Sequence, residues 1–380
     1  MKKVLIFSLA YYPRHVSGAE AAIKEITDRI EDVEFHMVTL RFSGAHARRE
    51  KVGNVFVHRV GGASYVAKIL FPVLAALKAR RLHQTHRFDA LWAMMTYMLL
   101  PVVIARMVGV HAPHILTLQD GDPYEKVFER WFIRPVVPLL DRGFRTASVV
   151  QAISKYLAQW PRKRGYEREV VMIPNGANPR DLAGATPEEE VNRVKNKFGK
   201  KGDERWLVNT ARLVHQKGND VTIKALTLLP EYVKFLVVGG GPEQESLQRL
   251  VQEVGVGPRV IFTGPVDRSE VTLYRLASDI FVGPSRSEGL GNAFLSAMAS
   301  RIPVVATREG GLAEFVFDNK TAWVVEKDSP EQIAHAVINI IEHPQKVKEI
   351  TEAAYRMVAE TYNWDRIARE MRQSVFEKVL

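Results

Sequence analysis

The sequence predicts an α/β protein made of two Rossmann-like domains. Strand-like apolar runs alternate with helical patterns almost throughout, which implies parallel sheets covered on both faces. The alternation breaks once, at a stretch rich in Pro, Asn and Gly, and then restarts. A length of 380 residues also exceeds one ordinary core. A composition that is 46% hydrophobic and 25% charged belongs to a globular chain rather than a disordered or fibrous one. With no cysteine, disulfides and thiolate metal sites are excluded.

The opening "MKKVLIFSLAYYPRH" has the lysines of a signal peptide. Its short apolar run leads into a usable strand rather than a small-residue cleavage site. A helix is predicted from Ala19, with Ala22, Ile23, Ile26 and Ile30 on one face. The runs "EFHMVTL", "VFVHRV", "DALWAMM", "HILTLQD" and "SVVQAIS" then read as strands. The apolar stretch Thr96–Val110 contains Pro101 and Arg106 and is too short to span a bilayer, so a cytoplasmic protein is expected. Residues Val170–Glu190, "VVMIPNGANPRDLAGATPEEE", carry turn and linker chemistry. Strands resume with "RWLVNTARL", "VKFLVVGGG", "VIFTGPV", "DIFVGPS", "IPVVATREGG" and "TAWVVE". Between the second and third of these, Leu247, Leu250, Val251 and Val254 share a helix face. The close, "NWDRIAREMRQSVFEKVL", places Trp364, Ile367, Met371, Val375 and Val379 in one stripe behind a capping Asn363. The expected division is 1–173, 174–360 and a terminal helix 361–380.

Ligands of doubly wound sheets bind at the carboxyl ends of strands. At the first such end, Ser17 and Glu20 can form a capping box, and Gly18 lets backbone approach a ligand; a well-capped helix is the plainer reading. Gln119, Asp120 and Asp122 cluster after "HILTL", either as a site or as a polar turn. In "NTARLVHQKGND", Arg212 and Lys217 can clamp a diphosphate or be scattered surface charge. Gly239, Gly240 and Gly241 could bring backbone to a base or ribose, but lack the spacing of a dinucleotide fingerprint. In "PSRSEGLGNAF", a glycine-containing turn opens a helix, an arrangement that suits phosphate, yet Glu288 stands directly before it. Two cations with a helix start suit a diphosphate, and a carboxylate suits hydroxyl groups. A nucleotide sugar offers both.

These features, with "IPNGAN", "ARLVHQKG", "VVGGGPE", "FTGPV", "SEGLGNAFLSAMASRIPVVAT" and "YNWDRIA", resemble a family 4 glycosyltransferase over nearly the whole chain. The resemblance implies two domains facing each other across a cleft (the GT-B fold), with the last helix crossing back to the first domain. It makes the first domain the acceptor side and the second the donor side. Arg212 and Lys217 would hold the donor diphosphate and stabilise the leaving group without metal, and Glu288 would contact the donor hexose. Donor-binding positions would be Gly18, Gly240, Pro242, Val266, Gly289, Leu290, Gly291, Asn292 and Ser296; Ser17, Gln119 and Asp120 would serve the acceptor or donor-sugar side. The activity implied is retaining hexosyl transfer from a UDP- or GDP-linked sugar, used as substrate with no cofactor, to a glycan or lipid-linked acceptor. Two positions depart from the family pattern. Its second carboxylate, which grips the ribose, is Ser296 here, and its sugar-contacting His is Gln119. They leave open a catalytically weak or silent relative that binds a nucleotide or glycan.

The net charge of +10 and the pI near 9.6 imply an anionic partner. No zinc-ligand set or RNA-recognition signature supports nucleic acid. Basic residues concentrate in "AHARREK" (45–51), "KARRLHQTHR" (78–87) and "KVFERWFIRPVVPLLDRGFR" (126–145). The last two mix Arg and Lys with apolar residues, as a helix at an anionic membrane interface does; a buried helix with a solvated basic edge is the alternative. The expectation is a protein peripheral at the inner face of the membrane.

Overall fold

Runs such as Val4–Phe7 leave no polar face for water, and they become central strands, fully buried. The computed structural model describes residues 1–13, 16–184 and 186–380. They divide into two units, Met1–Asn175 with Trp364–Leu380, and Gly176–Asn363.

The first unit is built on β1 (Lys2–Phe7), β2 (Val33–Leu40), β3 (Arg49–Val52), β4 (Val55–Val60), β5 (Ala90–Met94), β6 (His114–Leu118), β7 (Val149–Ala152) and β8 (Val170–Met172). Their order is β3-β4-β2-β1-β5-β6-β7-β8, parallel except for the β3–β4 hairpin. Two strands lie where the sequence suggested none. β3 overlaps the end of the basic segment 45–51: as an edge strand it keeps Arg49 and Lys51 in water, so it lacks an apolar signature. β8 falls inside the stretch read as linker, a three-residue edge strand masked by the turn chemistry that follows it. That linker reading also takes in Ala185, which lies outside the described residues.

The closing segment belongs to this unit because it is buried there. Trp364, Ile367, Met371 and Val375 join the core of Phe35 and Trp92, with Val379 half-buried against it. The α-helix Trp364–Met371 passes into a π turn, Arg372–Phe376. The wider turn adds Phe376 to the buried stripe, edge-on to Trp92 with ring centroids 5.2 Å apart. Arg29–Asp365 at 2.6 Å and Arg372–Asp32 at 2.7 Å tie the segment down outside the core.

The second unit holds β9 (Arg205–Thr210), β10 (Val233–Val238), β11 (Val260–Gly264), β12 (Ile280–Gly283), β13 (Val304–Ala306) and β14 (Trp323–Val324), all parallel, in the order β11-β10-β9-β12-β13-β14. Leu247 and Val251 of helix Gln244–Glu253 are buried, and Leu250 and Val254 pack half-buried against the same core. Strand order reverses between β1 and β5 in one sheet and between β9 and β12 in the other, and such points favour ligands. Among the described residues no helix is long and apolar enough to cross a membrane.

Candidate active site

The loops leaving β9 and β12, on either side of the second unit's switch point, carry the strongest candidates. After β9 the chain forms a 3-10 turn, His215–Lys217, and enters helix Asn219–Ala225 through Gly218 at φ +67°. A side chain at Gly218 would run into the Pro284 carbonyl oxygen, so only glycine lets this loop meet the one leaving β12. The meeting sets Lys217 Nζ 2.6 Å from Glu288 Oε1. Ser285 Oγ donates to the same oxygen at 2.9 Å, and Thr307 Oγ1 donates to the Ser285 carbonyl at 2.6 Å. The Gly311 N–H holds the Glu288 carbonyl at 3.0 Å.

The Glu288 side chain is only 7% exposed, and a buried carboxylate is costly without a partner. Lys217 is that partner, which explains how an acidic residue can stand buried next to a glycine turn that opens a helix. Beyond Glu288 the chain turns at Gly291, φ +101°, and helix Asn292–Ala299 begins. That start directs the helix's positive end toward the Gly289–Asn292 turn. Arg212 lies on the loop leaving β9, exposed, with no side-chain ion pair among the described residues.

Gly239 and Gly241 are packed closely against the loop leaving β9. A side chain at either would strike the carbonyl of Ala211 or Leu213, and Leu213 N–H donates to the Gly240 carbonyl at 3.0 Å. The glycines therefore seat the loop that carries Arg212. Pro242, just beyond them, is exposed, and Val266, after β11, is half-buried. Ser296 lies in the second turn of helix Asn292–Ala299, 6% exposed, and its Oγ accepts the Asn178 N–H at 3.1 Å. It engages the chain entering the unit.

In the first unit, Ser17 N–H donates to Glu20 Oε2 at 2.7 Å, and Gly18 opens helix Gly18–Thr27. Gln119 and Asn175 exchange amide hydrogen bonds at 3.1 and 2.8 Å. Asp120, 3% exposed, accepts from the Thr96 N–H at 3.2 Å and from Thr96 Oγ1 at 3.0 Å. Burial pushes its carboxyl up to about 6, against the pull of those two bonds. Asp122 instead pairs with Lys126 at 2.6 Å. Sequence reasoning missed Asn175, Ser285 and Thr307, whose roles depend on which strand ends lie side by side.

One group of metal-type donors occurs among the described residues: Glu34, His36 and His86, in the first unit. Glu34 Oε1 is already met by His36 Nε2 at 2.9 Å and Lys3 Nζ at 3.2 Å, a network closed by hydrogen bonds.

The family described as Glycosyl transferases group 1 matches residues 190–357, and the Glycosyl transferase 4-like domain matches residues 17–176. A GDP-mannose-dependent alpha-(1-6)-phosphatidylinositol monomannoside mannosyltransferase of Mycobacterium tuberculosis is 27% identical over 98% of this chain and 97% of its own. Among solved structures, Anabaena HepE in complex with UDP and glucose matches at 21% identity with a TM-score of 0.82, covering 99% of this chain and all of that one. Sucrose-phosphate synthase from Thermosynechococcus elongatus matches with a TM-score of 0.86 at 19% identity, covering 99% of each. The two matched families together cover residues 17–176 and 190–357, and the chain belongs to the group 1 glycosyltransferases, with a 4-like first domain and the GT-B fold.

Proposed function

We propose that the protein moves a hexose from a nucleotide-diphosphate sugar to a glycan or lipid-linked acceptor, with retention and without metal. The observation that carries the reading is the Lys217–Glu288 pair at the switch point of the second unit, with Arg212 on the same loop as Lys217. As the bond to phosphate breaks, the sugar gains positive charge and the diphosphate gains negative charge. Glu288 favours the first; Arg212, Lys217 and the helix starting at Asn292 favour the second, supplying charge that a metal supplies elsewhere. The second unit would take the donor and the first the acceptor, with Ser17, Gln119 and Asp120 on the acceptor or donor-sugar side. The mycobacterial relative's name makes GDP-mannose the first donor to try. The silent-relative reading draws on Ser296 and Gln119, whose polar groups are engaged by Asn178 and Asn175. A thermal-shift panel of UDP, GDP, ADP and their sugars separates these readings from none. A ligand at about 100 times its Kd adds about 2.7 kcal/mol of stability. A raised Tm with one nucleotide family is expected, and no shift with any member would contradict donor binding. Glycosyl transfer to an acceptor separates the active from the silent reading.

A lipid surface is the proposed location of the acceptor. Helix Tyr65–His86 exposes Val66, Ile69, Leu70, Val73 and Leu77 along one side, with Tyr65 76% exposed at its start. Trp131 is 81% exposed next to Arg130, and Phe132 and Arg134 follow, also exposed. The segment 126–145 is not one helix but short helices, Tyr124–Phe128, Arg134–Val136 and Val137–Thr146, which bring these aromatic and basic residues to a bend. Exposed apolar residues flanked by cations suit an anionic interface. Co-sedimentation with anionic vesicles is expected to exceed that with neutral ones and to fall with salt. Ile69→Glu with Leu70→Glu should abolish it. Equal recovery from neutral and anionic vesicles would leave a soluble acceptor as the better account.

A further inference from the structure

Glu288 and Lys217 come from loops 71 residues apart in sequence, so something must hold their two backbones in register. Arg286, two residues before Glu288, reaches across. Its Nη1 and Nη2 donate to Asp220 Oδ1 and Oδ2 at 2.9 and 2.7 Å, a two-pronged grip. Nη1 also donates to the His215 carbonyl at 2.6 Å, and Nε donates to Asp328 Oδ1 at 2.7 Å. The Arg286 backbone N–H donates to the Gln216 carbonyl at 2.7 Å. Lys217 therefore lies between carbonyls held by Arg286 on one side and a carboxylate held by it on the other. The guanidinium is 16% exposed and its donors are spent on protein groups. An arginine beside a phosphate-binding turn would ordinarily be read as a phosphate ligand, and this one is arranged otherwise.

We propose that Arg286, through Asp220, is a positioning residue that sets the Lys217–Glu288 geometry on which transfer depends. The inference rests on the reading of Lys217 and Glu288 given above. Lysine cannot reproduce the planar fork, so Arg286→Lys keeps the charge and loses the register. A displacement of about 1 Å at reacting groups costs on the order of 100-fold in rate. In steady-state assays with the cognate donor, Arg286→Lys and Asp220→Asn should each lower kcat by about that factor. Their nucleoside-diphosphate Kd by calorimetry should change by less than about threefold, since neither residue is assigned to the ligand. The double variant should be no worse than either single one, because both act through one contact. Asp328→Asn, at a carboxylate 51% exposed, removes a peripheral contact and tests the same link should Asp220→Asn fold poorly; it should lower kcat more weakly in the same direction. A kcat per folded molecule equal to wild type in Arg286→Lys would overturn the inference, and so would additive losses in the double variant. A loss confined to Kd would make Arg286 a ligand-binding residue instead. Glu288→Gln serves as the control. If Glu288→Gln is inactive while Arg286→Lys is fully active, only the positioning role falls; if Glu288→Gln keeps wild-type turnover, the reading of the site itself falls.

Discussion

Glu288→Gln is expected to lower turnover by about 10²–10³-fold while leaving nucleoside-diphosphate affinity unchanged or slightly tighter. Glutamine keeps the shape of the side chain and its bond from Ser285 Oγ, so packing is preserved. What disappears is the negative charge that the proposed mechanism sets against the sugar. The resting structure adds a second consequence. Glu288 is 2.6 Å from Lys217, so removing its charge frees the Lys217 ammonium from a competing carboxylate. A diphosphate then meets a less compensated cation. Rate and affinity should therefore move in opposite directions, which general damage to the site would not produce. Steady-state kinetics with the cognate donor, alongside calorimetry with its nucleoside diphosphate, reads both.

Arg212→Ala and Lys217→Ala should both weaken donor binding, but only one should affect folding. A lost charge-assisted hydrogen bond costs about 1.5–3 kcal/mol, which is roughly 10- to 150-fold in Kd. Arg212 is exposed and makes no side-chain ion pair among the described residues, so its removal should leave stability within about 0.5 kcal/mol of wild type. Lys217 neutralises a carboxylate that is 7% exposed. Its loss leaves that charge buried and unpaired, at a cost of about 3 kcal/mol, the lower end for broken buried pairs because Lys217 itself is partly hydrated. Chemical denaturation should show a lower midpoint for Lys217→Ala and an unchanged one for Arg212→Ala.

The architecture was legible because strands buried on both faces are continuous apolar runs, as in Val4–Phe7 and Val233–Val238. β3 and β8 were not, since edge strands answer to hydrogen bonding with one neighbour and not to burial. At the candidate site, Arg212, Lys217 and Glu288 could be picked out by chemical type at strand ends. Their pairing could not. Lys217 and Glu288 meet because β9 and β12 are neighbours in the sheet, a consequence of strand order that no local pattern records. Gly239 and Gly241 after β10 pose a different ambiguity. Glycine marks close backbone approach, and the sequence does not say whether a ligand or another loop does the approaching. Ser296 has a related lesson: its Oγ is met by the Asn178 N–H from 118 residues away, a contact that no local pattern records.

The central claim is that the loops leaving β9 and β12 hold the diphosphate of a sugar donor. Titration calorimetry of GDP and UDP into wild type and Arg212→Ala tests it most directly, because that variant separates binding from folding. Saturable binding of one of the two by wild type is expected, weakened about tenfold or more in Arg212→Ala at unchanged Tm. No binding of either nucleotide by wild type, or the same affinity in Arg212→Ala, would contradict it.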